Sequence, residues 1–125
     1  MEFQLALLYE SKAINGLQVL LLEHKDHFIF IDMYSTLATC LSVIGEVSAA
    51  IEANQMALDM LLKHSPTNYQ TISWKYFGLA SCYLEGKAWG QAILHFRKAV
   101  ETARSSNEPN QEDIQMMEFT LHLLT

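Results

Sequence analysis

Proline is scarce in this chain: Pro66 and Pro109 are the only two in 125 residues, and both sit in polar surroundings that read as loops. Cysteine is equally sparse, with Cys40 and Cys82 alone. Two thiols cannot build the disulfide framework of a small secreted domain. With no secretory signal legible, they point to a reducing compartment, cytoplasmic or nuclear. Positive charge is in deficit, with eight Lys and Arg against 14 Asp and Glu and a formal net charge of −6. No basic stripe exists, so neither nucleic acid nor an anionic membrane surface is an expected partner. Long apolar runs are missing too. The uncharged stretch from Ala13 to Leu22 is too short to span a bilayer and contains Asn15, Gly16 and Gln18.

The side chains that carry chemistry are also thinly spread. The five glycines stand singly, so no glycine-rich loop is available to cradle a phosphate. His24, Asp26 and His27 read as a solvated turn rather than a metal site, because no further Cys or His pair completes a ligand set. Neither cysteine has an adjacent histidine, and no G-x-S-x-G is present. The acidic residues are dispersed rather than paired for acid–base work. The expectation is a chain with no catalytic residues, no cofactor and no bound metal.

Half of the residues are hydrophobic, and their spacing is helical. Tyr76, Leu79, Ala80 and Tyr83 are three or four apart in turn and share one helix face. Ala92, Phe96 and Ala99 follow on a second helix. Ala80 and Ala92 are small where two antiparallel helices must approach closely, and Phe96 fills the gap beside them. Gly86 falls where the first helix must end, as a glycine in the left-handed conformation would. Trp89 is expected to plug that turn.

This pattern recurs 42 residues earlier, where Ala38 corresponds to Ala80. There stand Tyr34, Leu37, Ala38 and Leu41, then Gly45, then Ala50-Ile51 and Ala57-Leu58. Cys40 matches Cys82, which makes both small core residues rather than a redox pair. Ala6-Leu7 and Ala13-Ile14 repeat the spacing once more. The expected organisation is one domain over 1–125: a half repeat at 3–27, repeats at 28–66 and 70–105, and a capping helix at 112–124. A helix starting near Phe3 without capping residues suggests a piece cut from a longer protein. The fold expected is an all-α, right-handed solenoid of antiparallel helix pairs.

Aromatic, Leu-small, aromatic on one helix, then small and aromatic on the next, resembles the tetratricopeptide repeat. The resemblance covers about residues 3 to 105. It implies a protein-interaction module in which the first helix of each repeat lines a concave groove for a peptide or protein partner. The matching positions are Asp32, Ser35 and Thr39, then Trp74, Phe77 and Ser81, with Ser42 and Leu84 beside them. The Lys and Asn residues with which chaperone-tail-binding members hold a carboxylate have no counterpart here, so chaperone tails are not the expected ligand.

A narrower resemblance rests on Ile31 to Ala38, on Phe77-Gly78-Leu79-Ala80 and on the long period. These are similar to the C-terminal helical domain of SET-and-MYND-domain lysine methyltransferases. It implies a domain that walls a substrate cleft whose catalytic SET and zinc-binding MYND portions are missing from this sequence.

Trp74 and Phe77 lie on a helix face offset from Tyr76, Leu79 and Tyr83. Either they look into an open groove, or they pack on the neighbouring repeat or on the last helix through Met117 and Leu121.

Overall fold

The computed structural model describes Lys12 and residues 27–125. The chain is all-helical over those residues, with five helices and no strand among them. We number them α1 (His27–Val43), α2 (Val47–His64), α3 (Tyr69–Glu85), α4 (Trp89–Arg104) and α5 (Gln111–Leu124). These limits lie within about two residues of those read from the sequence. The half repeat expected at 3–27, and His24 and Asp26 with it, lies outside the described residues apart from Lys12 and His27. The chain divides into two compact units, residues 1–60 and 61–125.

The helix limits themselves repeat. α1 and α3 begin and end 42 residues apart, α2 and α4 begin 42 apart, and α5 begins 42 after α3. Burial repeats with them: Ala38 and Ala80, Ala50 and Ala92, Ala57 and Ala99, and Leu58 and Val100 are all buried. Ile114 on α5 takes the place of Ile72 on α3, and both are buried. The last helix is therefore a third copy of the first helix of the repeat. Its sequence signature is Asn110 before the helix and Ile114 on its first turn, matching Asn68 and Ile72.

In the first unit the described residues are α1 and most of α2. Phe30, Ile31, Tyr34, Ala38 and Leu41 form the buried stripe of α1. α1 closes with two bonds that satisfy its last carbonyls: Gly45 N–H donates to Ser42 O at 3.1 Å, and Glu46 N–H to Leu41 O at 2.9 Å. This is the Schellman closure, which needs a left-handed residue, and Gly45 supplies it at φ +83°.

In the second unit α3, α4 and α5 pack together. α4 carries the clearest amphipathic stripe, burying Ala92, His95, Phe96, Ala99, Val100 and Ala103 at spacings of three and one. Ala80, Ala92 and Phe96 form one buried cluster, against which Phe77, Tyr83, Leu84, Leu121 and Leu124 pack. Ala99, Val100, Ala103, Ile114 and Met117 form a second, flanked by Trp74, Tyr76, Phe77 and Leu121. α5 starts on an Asn110 cap, whose side chain accepts from Asp113 N–H at 3.2 Å. Glu112 and Asp113 in its first turn face the positive end of the helix dipole. Arg104 pairs with Glu118 and ties the end of α4 to α5.

Two details correct the sequence reading. Gly86 is not the left-handed residue of the α3–α4 turn; it has φ −78°. Lys87 takes that role at φ 60°, donating to Leu84 O at 3.0 Å while Ala88 donates to Tyr83 O at 2.9 Å. The period explains this, because position 87 corresponds to Gly45 and position 86 to Ile44. Trp89 does not plug the turn either, since it opens α4 with 55 % of its surface exposed.

The left-handed turn positions and the tight crossing each set an expectation for stability. A left-handed conformation costs an L-residue about 1 kcal/mol or more, so Lys87→Gly should raise stability by about 1 kcal/mol. Gly45→Lys should lower it by a similar amount through strain alone, because a Cβ at Gly45 would meet nothing within 4 Å. Chemical denaturation of the two variants checks both signs. At the α3–α4 crossing Ala80 is 0 % exposed. Ala80→Leu should overpack it and cost about 1–3 kcal/mol in the same assay.

Candidate partner-binding faces

Asp32, Ser35 and Thr39 fall at spacings of three and four along α1, so they lie on one face. Asp32 and Thr39 are exposed and Ser35 is half-buried. The hydroxyls turn back on their own helix. Ser35 Oγ donates to Ile31 O at 2.8 Å and Thr39 Oγ1 to Ser35 O at 3.1 Å. Such bonds keep polar side chains compatible with a helix interior. In the second unit Ser81 does the same, donating to Phe77 O at 3.0 Å. Thr39 and Ser81 therefore keep only acceptor capacity on their oxygens, their hydrogens being committed to the helix.

Trp74 and Phe77 are half-buried on α3. Their rings meet edge to face at 5.4 Å and 73°, and Phe77 meets Phe96 of α4 at 5.1 Å and 71°. This is the geometry aromatic quadrupoles favour. Both rings pack against the cluster formed by Ala99, Val100 and Ala103 of α4 with Ile114 and Met117 of α5. The six positions singled out from the sequence thus fall into two sets, one per unit. Three are polar on α1, and on α3 two aromatics and a serine stand beside the core.

Two features escaped the sequence reading. One is a hollow of about 270 Å³ in the first unit, lined by Tyr34, Leu37 and Leu41 of α1 and by Ala49, Glu52, Ala53 and Met56 of α2. Its origin is legible in the period. The positions matching Ala49 and Ala53 are Gln91 and His95. In the second unit His95 is buried, with its ring 4.9 Å from that of Tyr83 and 6.4 Å from that of Tyr76. Its Nδ1 lies 2.7 Å from Gln91 O. A carbonyl only accepts, so Nδ1 carries the hydrogen. Alanine at 53 leaves the first unit's hairpin open where buried His95 fills the second unit's. The other feature is a stripe of exposed apolar residues on α5, Met116, Phe119 and Leu123.

Among the described residues, no three His, Cys, Asp or Glu side chains stand close enough to hold a metal ion. Cys82 is buried and Cys40 half-buried, and neither is in a disulfide. No helix among the described residues is long and apolar enough to cross a membrane. No protein-family model matches the chain, and neither a curated protein nor a solved structure matches it.

The packing of Trp74 sets an expectation. Trp74→Ala removes a large ring whose inner edge lies on the α4–α5 cluster, so it should cost about 2–4 kcal/mol of stability. Urea denaturation reads this directly. An unchanged midpoint would mean that the ring packs on nothing.

Proposed function

We propose that this chain is a protein–protein interaction module of the tetratricopeptide type, with no catalysis of its own. Each unit offers the face of its own first helix to a peptide or protein segment. Asp32, Ser35 and Thr39 supply polar contacts on α1, and the outer edges of Trp74 and Phe77 supply apolar ones on α3, with Ser81 between. The observation that carries the reading is the 42-residue recurrence of helix limits together with the buried alanines. A chain that repeats a helix hairpin and keeps its small residues at the crossing leaves one helix face of each hairpin free to carry side chains of its own choosing, which suits recognition of a partner. The half-buried aromatics add to this, because large rings with one edge in the core and one in solvent are typical energetic anchors at interfaces.

A random-peptide display selection against the immobilised chain tests the reading. Peptides should be enriched over an unrelated helical protein. Asp32→Arg and Thr39→Arg, both at exposed positions, should each weaken the best peptide by about tenfold or more, with the helical circular dichroism unchanged. Absence of enrichment, or affinity indifferent to both substitutions, overturns it.

A further inference from the structure

The connection from α4 to α5 encloses a small space against α3. Its volume is about 10 Å³, and six of the residues around it carry polar side chains: Gln70 and Ser73 of α3, Ser106, Glu108 and Asn110 of the connection, and Asp113 of α5. Ala103 of α4 closes it. Ser73 and Ala103 are its buried members, at 1 % and 7 % exposure, while Gln70, Glu108 and Asn110 are exposed. The space therefore runs inward from solvent and ends on a serine hydroxyl.

Its origin is legible in the 42-residue period. The counterparts of Ser73 and Ala103 are Ile31 and Leu61, both large, aliphatic and buried. Two small residues in place of two branched ones leave room here. Ser73 also makes the room polar. A buried hydroxyl costs free energy unless it is hydrogen-bonded. Ser73 Oγ donates its one hydrogen to Gln70 O at 2.7 Å, which leaves the lone pairs of that oxygen for a donor. The nearby donors are committed within the connection: Glu108 N–H donates to Ser106 Oγ at 3.3 Å, and Asp113 N–H to Asn110 Oδ1 at 3.2 Å. Neither brings a hydrogen to Ser73.

We propose that this space is a binding site for one water molecule. Its volume is that of about one water-sized sphere. The water donates one hydrogen to Ser73 Oγ and the other to the Asp113 carboxylate, and so ties α3 to the first turn of α5. Such a bridge is nearly as good as a direct hydrogen bond. A hard cation is the competing occupant of an oxygen-lined site, but it takes about six oxygens or more. Only two carboxylates line this one, those of Glu108 and Asp113. The inference goes beyond the interaction-module reading and stands without it, because it concerns how one hairpin is joined to the helix that follows.

The test is a crystal structure of the full chain that shows ordered solvent, with amide hydrogen exchange on the same protein in solution. One water should lie within hydrogen-bond distance of both Ser73 Oγ and the Asp113 carboxylate. Ala103→Leu restores the larger residue of the earlier copy and leaves the hydroxyl in place, and it should displace that water. Asp113 and Ile114 both donate their amide hydrogens to Asn110. Ser73→Ala should speed exchange of these two amides by about tenfold, the loss of about one hydrogen bond. A serine that served only its bond to Gln70 would change exchange in α3 and leave those two amides alone, which overturns the proposal. So does a Ser73 oxygen with no solvent beside it, a metal ion in the site, or a water that stays in Ala103→Leu. If Ser73→Ala fails to fold, the crystals of the unaltered chain and of Ala103→Leu decide alone.

Discussion

Ala80 and Ala92 are both 0 % exposed and share one cluster with Phe96. Each lies at the point where a larger residue would hold α3 and α4 apart. Because both side chains end at a methyl group, the two helices approach closely enough for Phe96 to be enclosed, at 1 % exposure. Burying a ring of that size contributes about 1.5–3 kcal/mol. The neighbouring contacts depend on this approach. The edge-to-face meeting of Phe77 with Phe96 requires it, and so does the arrival of Leu121 and Leu124 from α5 beside the same cluster. A chain with few prolines and no disulfide has little else to fix the crossing.

The turn is the second constraint, and it is set by backbone rather than side chains. Two hydrogen bonds close α1 onto Gly45 and Glu46, and the same two close α3 onto Lys87 and Ala88. The next helix then begins at an equivalent residue, with Ala50 N–H donating to Glu46 O and Ala92 N–H to Ala88 O. A fixed turn delivers the second alanine to the first at a fixed register. Small residue, turn and small residue therefore act as one device, and both hairpins carry it. What varies between them is the filling of the outer layer. His95 lies between Tyr76 and Tyr83 in the second unit, where the first has Ala53 and an open hollow.

Much of this was legible in the sequence, because small residues at helix crossings leave a signal that survives large changes elsewhere. Helical spacing read the chain as all-α, and the described residues are helices and turns without a strand. The left-handed residue was placed one position early, at Gly86, because glycine is the usual occupant and its identity outweighed the period. Counting 42 from Gly45 leads to Lys87 instead. α5 was legible as a helix but not as a third copy, since only Asn110, Ile114, Phe119 and Leu121 keep their counterparts while His122 replaces the alanine. Of the candidate site, spacing placed Asp32, Ser35 and Thr39 on one face. It could not tell whether the inner edges of Trp74 and Phe77 lean on another helix, because that depends on where α5 lies. The hollow was not legible either, since alanine at 49 and 53 signals close packing as readily as empty space.

The central claim is that a pair of alanines closes the hairpin at a fixed place in a 42-residue unit. A nuclear Overhauser spectrum of protein with isotopically labelled alanine methyl groups reads this directly. The account predicts cross-peaks between the methyl groups of Ala80 and Ala92 and from both to the ring of Phe96, with an equivalent pair between Ala38 and Ala50. An Ala80 methyl group whose only cross-peaks are to residues within α3, or an Ala38 and Ala50 that meet different neighbours instead of each other, would contradict it.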